Sequence, residues 1–198
     1  TISCISALVT PPNPNIRDNA HALKSCGGIK ILIEALNNHG SDPELLTLVS
    51  QTLEKCGCDS TMIAALATEG VAKAVMCPLG APYPEFSEGR IAAVRLVRKI
   101  ASLESTLDDL VAQGITQSVI GVIGASTSLV HGDKDVTVLS DASFTLSSLT
   151  NSGTAIDSLV NERDIATIVG VLGSNAAVNR SVASKFLKPV FRVLQRIA

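Results

Sequence analysis

Apolar residues along the chain recur at three- and four-residue spacing, which is the signature of helices with one buried face. Four segments follow a turn with a branched aliphatic residue and further apolar positions three to five residues on. They are Gly28–Leu36, Gly70–Met76, Gly114–Ile123 and Asp164–Leu172. Their starts at 28, 70, 114 and 164 are 42, 44 and 50 residues apart. A period of this size marks solenoid repeats built from two or three helices. Before three of these segments lies a shorter apolar pair at helical spacing: Ile63 and Leu66, Leu107 and Leu110, Ile156 and Leu159. Asp59 or Ser60, Ser105 and Thr154 are suited to cap these short helices. The glycine that follows admits a positive φ and a sharp turn into the next helix. Beyond each medium segment come a loop and a longer amphipathic helix. The expected loops are 37–42, 78–89, 124–135 and 173–179, and Pro43 suits the first turn of the long helix running to Cys56. Each unit therefore reads as short helix, medium helix, loop, long helix.

Composition narrows this picture. The chain has 198 residues, 46% of them hydrophobic, with no Trp, one Tyr and four Phe, so the core is aliphatic and disorder is excluded. A net charge of −2 argues against a general nucleic-acid binder, which carries a large basic excess. Five cysteines, Cys4, Cys26, Cys56, Cys58 and Cys77, are an odd number. That fits reduced, mostly buried thiols in a cytoplasmic setting better than a disulfide scaffold. Cys56 and Cys58 lack the two-residue spacing of a zinc knuckle, and His21, His39 and His131 are isolated, so no metal or other cofactor is expected. No His/Asp pair is placed to activate a serine or threonine, which argues against an enzyme. Pro11, Pro12 and Pro14 interrupt any leader-like run, so no signal peptide is expected. The uncharged stretch 110–132 carries Gln113, Gln117 and three glycines early on, which suits a repeat better than a membrane span.

The three-helix unit resembles the armadillo repeat. The resemblance rests on the run Gly-Ile-x-x-Leu-Ile-x-x-Leu from Gly28 to Leu36, its three echoes, and the preceding Asn15-Ile16-Arg17-Asp18-Asn19-Ala20. It implies an all-α, right-handed α-solenoid, with HEAT repeats as the alternative. One repeat domain spans 1–198: a partial repeat 1–14, repeats at about 15–56, 57–100 and 101–150, and a partial fourth over 151–198. Ile2 to Val9 and Ser181 to Ala198 then stand as third helices, and the chain reads as part of a longer array. In register, Cys56, Ile100, Leu149 and Ile197 share one position, which places Cys56 in the core.

In armadillo proteins the third helices line a concave groove, where an Asn, with a Trp one turn earlier in nuclear-import receptors, holds an extended peptide. The resemblance places Lys55, Lys99, Ser148 and Arg196 at the Asn position, and Gln51, Arg95, Phe144 and Arg192 at the Trp position. Both marks of an import receptor are missing, and a basic peptide would be repelled. Arg95, Arg98 and Lys99 share one arc of their helix, as do Lys185, Lys188, Arg192 and Arg196 of the last. From Arg180 onward there are five basic residues and no acidic one, whereas 100–164 holds two basic and nine acidic. The expected function is therefore a non-enzymatic scaffold or adaptor whose groove binds an extended acidic or phosphorylated protein segment, as catenin-type arrays hold acidic partners. The plainer reading of the same stripes is solvated helix faces. A different function class is a structural subunit of a cytoskeletal or ciliary assembly that makes contact end to end through its terminal helices. Pro189 should kink the last helix or start a new one. Tyr83 and Phe86 in the loop 78–89 mark a packed surface loop or a secondary contact site.

Overall fold

The computed structural model describes residues 6–7, 14–39, 42–76, 87–127, 133–159, 162–175 and 180–197. The leading helix expected over 2–9, the loop with Tyr83 and Phe86, His131, Cys4 and Cys77 lie outside the described residues, apart from Ser6 and Ala7, which are helical. The first triplet is α1 (Ile16–Ser25), α2 (Gly28–Asn38) and α3 (Pro43–Cys56). The second is α4 (Ser60–Thr68), α5 (Val71–Met76) and α6 (Ser87–Ala101). A 3₁₀ turn, Glu104–Thr106, leads into α7 (Leu107–Ala112), α8 (Ile115–Thr127) and α9 (Asp133–Leu149). The last set is α10 (Gly153–Leu159), α11 (Glu162–Asn175) and α12 (Arg180–Ile197). Among the described residues there is no strand.

Stacking follows from the apolar positions. The long helices α3, α6, α9 and α12 pack in series, each on the next, and the second helices α2, α5, α8 and α11 form a parallel layer. Leu53, Val97 and Leu146 occupy one repeat position, and Cys56, Ile100 and Leu149 another; all six are fully buried in one continuous core. Burial pushes the Cys56 thiol up to about 12, so it remains protonated and packs as a small hydrophobe. Cys26 departs from expectation. It is exposed because it caps α1 from the turn, beyond the reach of the helical periodicity, and Cys58 is exposed too.

Local chemistry sets the helix ends. Asp42 accepts from the backbone N–H groups of Glu44 and Leu45 at 3.0 and 3.1 Å, with Pro43 opening α3. Asp59, not Ser60, caps α4 through Met62 N–H at 2.9 Å. Ser105 falls inside the 3₁₀ turn, and Thr106, the residue before α7, instead donates to the carbonyl of Ile100 at 2.6 Å. Thr154 is the second residue of α10. Positive φ occurs at Gly27, Gly70 and Gly114, at 74°, 74° and 77°. In the first unit the turn thus sits one residue earlier than Gly28, which begins α2.

Several boundaries differ from the sequence reading; helix α6, for one, begins at Ser87, inside the loop expected over 78–89. Helix α8 continues through Gly124 to Thr127 and α9 begins at Asp133, so both ends of the loop expected over 124–135 are helical. A Cβ on Gly124 would come 3.2 Å from Thr167 Cγ2, and this close approach of α8 to α11 is why a glycine serves inside the helix. Helix α11 likewise runs on to Asn175. Helix α12 runs unbroken through Pro189, which is buried; packing of this stretch carries the helix across the missing N–H.

Candidate partner-binding groove

The stripe predicted on α6 faces outward because Ala93, Val94, Val97 and Ile100 take the opposite, buried side. Arg95, Arg98 and Lys99 meet Phe144 and Ser148 of α9 around one open pocket of about 470 Å³, together with Glu54, Ser102 and Asp141. The cations there are not bare. Asp141, whose side chain is only 9% exposed, pairs with Arg98 through Oδ1 and with Arg95 Nε through Oδ2 at 3.5 Å. The Arg98 guanidinium also lies over the Phe144 ring, 4.5 Å from its centroid, a cation–π contact that fixes its plane. Arg95 is 52% exposed, and its single long contact leaves most of its fork turned to the groove.

Lys99 has a different task. Its Nζ donates to Glu54 Oε1 at 2.6 Å and to the Glu54 backbone carbonyl at 2.8 Å, near the C-terminus of α3. Arg196, at the same repeat position, donates through Nη1 to the Ser147 carbonyl at 3.1 Å and to Thr150 Oγ1 at 3.0 Å, at the C-terminus of α9. Cations near carbonyls left unpaired at a helix end are stabilising. Two residues expected to face a ligand thus tie one repeat to the one before. Ser148, again at that position, bonds within its own helix to the Phe144 carbonyl at 3.1 Å.

Of the eight residues the sequence singled out, Arg95, Lys99, Phe144 and Ser148 converge on this pocket. Gln51 lines a separate open hollow on α3 with Pro43, Glu44, Thr47 and Leu48. Lys55 is half-buried on α3; Arg192 is exposed on α12, and neither it nor Arg196 lines the central pocket. The sequence reading missed Glu54 and Asp141. A signal for Asp141 existed: its repeat equivalents are Leu48, Ala92 and Pro189, so a carboxylate stands where the other units place an apolar residue. Among the described residues, no group of three His, Cys, Asp or Glu side chains is arranged to hold a metal ion. No helix among them is long and apolar enough to cross a membrane.

Stacked helical units that share one core define an α-solenoid, and three helices per unit distinguish it from two-helix arrays. No protein-family model matches the chain, and no curated protein matches it in sequence. Solved structures are similar to it in fold. One engineered protein is similar at a TM-score of 0.68 and 16% identity, over 99% of this chain and 78% of its own. A second engineered protein aligns at 0.67 and 18% identity, over 99% of this chain and 47% of its own. A designed armadillo repeat protein in complex with the peptide (KR)4 aligns at 0.58 and 14% identity, over 100% of this chain and 91% of its own. The fold is an armadillo-like repeat solenoid, which bears out the sequence reading.

Proposed function

We propose that the protein is a non-enzymatic interaction scaffold of the cytoplasm, and that the groove along its long helices holds an extended acidic or phosphorylated segment of a partner protein. The observation that carries this reading is the convergence of Arg95, Arg98 and Lys99 with Phe144 on one open pocket. Three cations outnumber the two carboxylates there, Glu54 and Asp141, and Asp141 holds the two guanidiniums in position before any ligand arrives. Such preorganisation lowers the ordering cost of binding. A carboxylate or phosphate meets the exposed fork of Arg95 in charge-assisted bonds, and an adjacent apolar side chain rests beside Phe144. Ser148 lines the same pocket, and Gln51, Lys55, Arg192 and Arg196, which lie outside it, are proposed as further contacts along the long helices. The designed neighbour with a similar fold holds a strictly basic peptide. The cations in this groove favour the opposite polarity. Unpaired thiols at Cys26, Cys56 and Cys58 support a reducing compartment.

Fluorescence anisotropy with the full chain tests the reading. A labelled Glu- and phosphoserine-containing peptide is expected to bind, more weakly as salt rises, whereas (KR)4 does not bind. Arg95→Glu is expected to weaken the acidic peptide by about tenfold or more, the cost of reversing one charge at a specific contact. Preference for (KR)4, or an affinity untouched by Arg95→Glu, overturns it. Arg95 is the better probe than Lys99, because a glutamate at 99 would also oppose Glu54 and unsettle the α3 C-terminus.

A further inference from the structure

The groove pocket offers a ligand an unequal set of hydrogen-bond donors. Ser148 Oγ spends its hydrogen on the Phe144 carbonyl at 3.1 Å, and Ser102 Oγ on the Lys99 carbonyl at 2.6 Å. Lys99 Nζ is already engaged by the Glu54 carboxylate and the Glu54 carbonyl. The guanidiniums hold more back. Asp141 meets Arg98 at Nη1 and Arg95 at Nε, which leaves both Nη atoms of Arg95, with Nε and Nη2 of Arg98, without a hydrogen bond to the described residues. Both side chains are about half exposed, so these donors are open to an incoming group. Two forks set on one carboxylate are confined to the middle of the array. At the positions of Arg95 and Arg98 the other long helices carry Gln51 and Glu54, Phe144 and Ser147, and Arg192 and Gln195.

We infer, on the acidic-segment reading of the groove proposed above, that Arg95 and Arg98 form a phosphoryl site, and that the groove takes a phosphorylated side chain of its partner segment in preference to aspartate or glutamate. Geometry separates the two ligands. A carboxylate has its two oxygens in one plane and is satisfied by a single fork, whereas the terminal oxygens of a phosphoryl group diverge and bridge two. Here one fork is fixed over the Phe144 ring and the other is turned to the opening, with Asp141 holding them side by side. Charge acts in the same direction. The cations Arg95, Arg98 and Lys99 exceed the carboxylates Glu54 and Asp141 by one. A phosphoryl group, at about −1.5 to −2 near neutral pH, draws more from that surplus than a singly charged carboxylate. Arg98, which the acidic-segment reading needs only as a charge, thereby becomes a specificity-determining residue.

The test uses the full chain and three fluorescent peptides of one sequence that carry serine, glutamate or phosphoserine at a single position. The phosphoserine peptide is expected to bind at least about tenfold more tightly than the glutamate peptide, through the added charge-assisted bonds. Arg98→Lys keeps the charge and gives up the fork, so it is expected to erase this preference while holding the glutamate peptide within about twofold of its native affinity. Arg95→Lys, at an exposed side chain, is expected to act likewise, and the helical melt of both variants guards against a folding defect. Lowering the pH from about 7 to about 5 protonates the phosphoryl dianion and is expected to weaken the phosphoserine peptide more than the glutamate one. The glutamate peptide controls for the charged groups around the site, Glu54 of α3, Arg95, Arg98 and Lys99 of α6, and Asp141 of α9. Equal affinity for phosphoserine and glutamate, or a preference that survives both lysine variants, overturns the inference and leaves the acidic-segment reading standing. Binding of neither peptide removes both. Displacement of the phosphoserine peptide by millimolar inorganic phosphate also overturns the inference, since the site would then hold a free anion and not a protein side chain.

Discussion

The junction between α6 and α9 differs from its two neighbours in the direction of its polar ties. At the α3/α6 and α9/α12 junctions a cation of the later helix, Lys99 or Arg196, reaches back to a carbonyl at the C-terminus of the earlier one. At the α6/α9 junction that position holds Ser148, which turns to its own helix. Here the tie runs forward instead, from Arg95 and Arg98 to Asp141. The same groove position therefore stabilises the stack at two junctions, while at the middle one the cations sit higher on the helix and face the opening. Basic residues in a groove are not interchangeable, and their reach along the array decides which are tied into the fold and which stay turned to the opening.

Substitutions can break this contrast in graded steps. Asp141→Ala should have the largest effect. It leaves two guanidiniums facing a nearly buried gap and should lower the unfolding free energy by about 2 kcal/mol, below the full cost of a buried pair because both arginines are half exposed. Urea denaturation measures this, and a loss below about 0.5 kcal/mol would show that Asp141 does not organise the junction. Lys99→Met and Arg196→Met each keep an aliphatic stem and remove a helix-end contact, so each should cost about 1 kcal/mol in the same experiment. Arg95→Met should be close to neutral for stability, within about 0.5 kcal/mol, as expected for an exposed side chain with one long ion pair. If Arg95→Met destabilised as much as Lys99→Met, the division between the two would fail.

A smaller, pH-dependent effect belongs to the contact between α1 and the capping residue of α4. The Met62 backbone N–H, then the hydrogen bond from His21 at 3.0 Å, hold the Asp59 carboxyl down at about 2, against the ordinary 3.8. Arg17 adds an ion pair at 2.9 Å. Because the folded value is depressed, the stabilisation is fully present above the unfolded value and is lost as pH falls from about 4 towards 2. Asp59→Asn keeps the capping oxygen but not the charge. Its thermal midpoint should lie below that of the native chain at pH 6 and meet it near pH 2; parallel curves would remove Asp59 from the account.

Much of the fold was legible because the period of the Gly-aliphatic segments and the buried faces of the long helices are local patterns. The groove cations were legible for the same reason: Arg95, Arg98 and Lys99 lie opposite Val94, Val97 and Ile100. Their partners were not. Lys99 meets Glu54 and Arg98 meets Asp141 across 45 and 43 residues, and no helical periodicity encodes a pairing between repeats. The long stems of Lys99 and Arg196 let residues on the groove side reach a neighbouring helix end, which spacing along one helix does not disclose. Pro189 and Gly124 misled for a related reason, since tertiary packing sustains a helix where local propensity would end it.

The most direct test of the central claim is NMR chemical-shift mapping of the isotope-labelled full chain titrated with an acidic phosphopeptide. The account predicts that the largest perturbations fall on the Arg95 and Arg98 side-chain Nε–H signals, the Phe144 ring and the Ser148 amide. Perturbations centred instead on the second-helix layer, around Gln117 of α8 and Asp164 of α11, or none at saturating peptide, would contradict it.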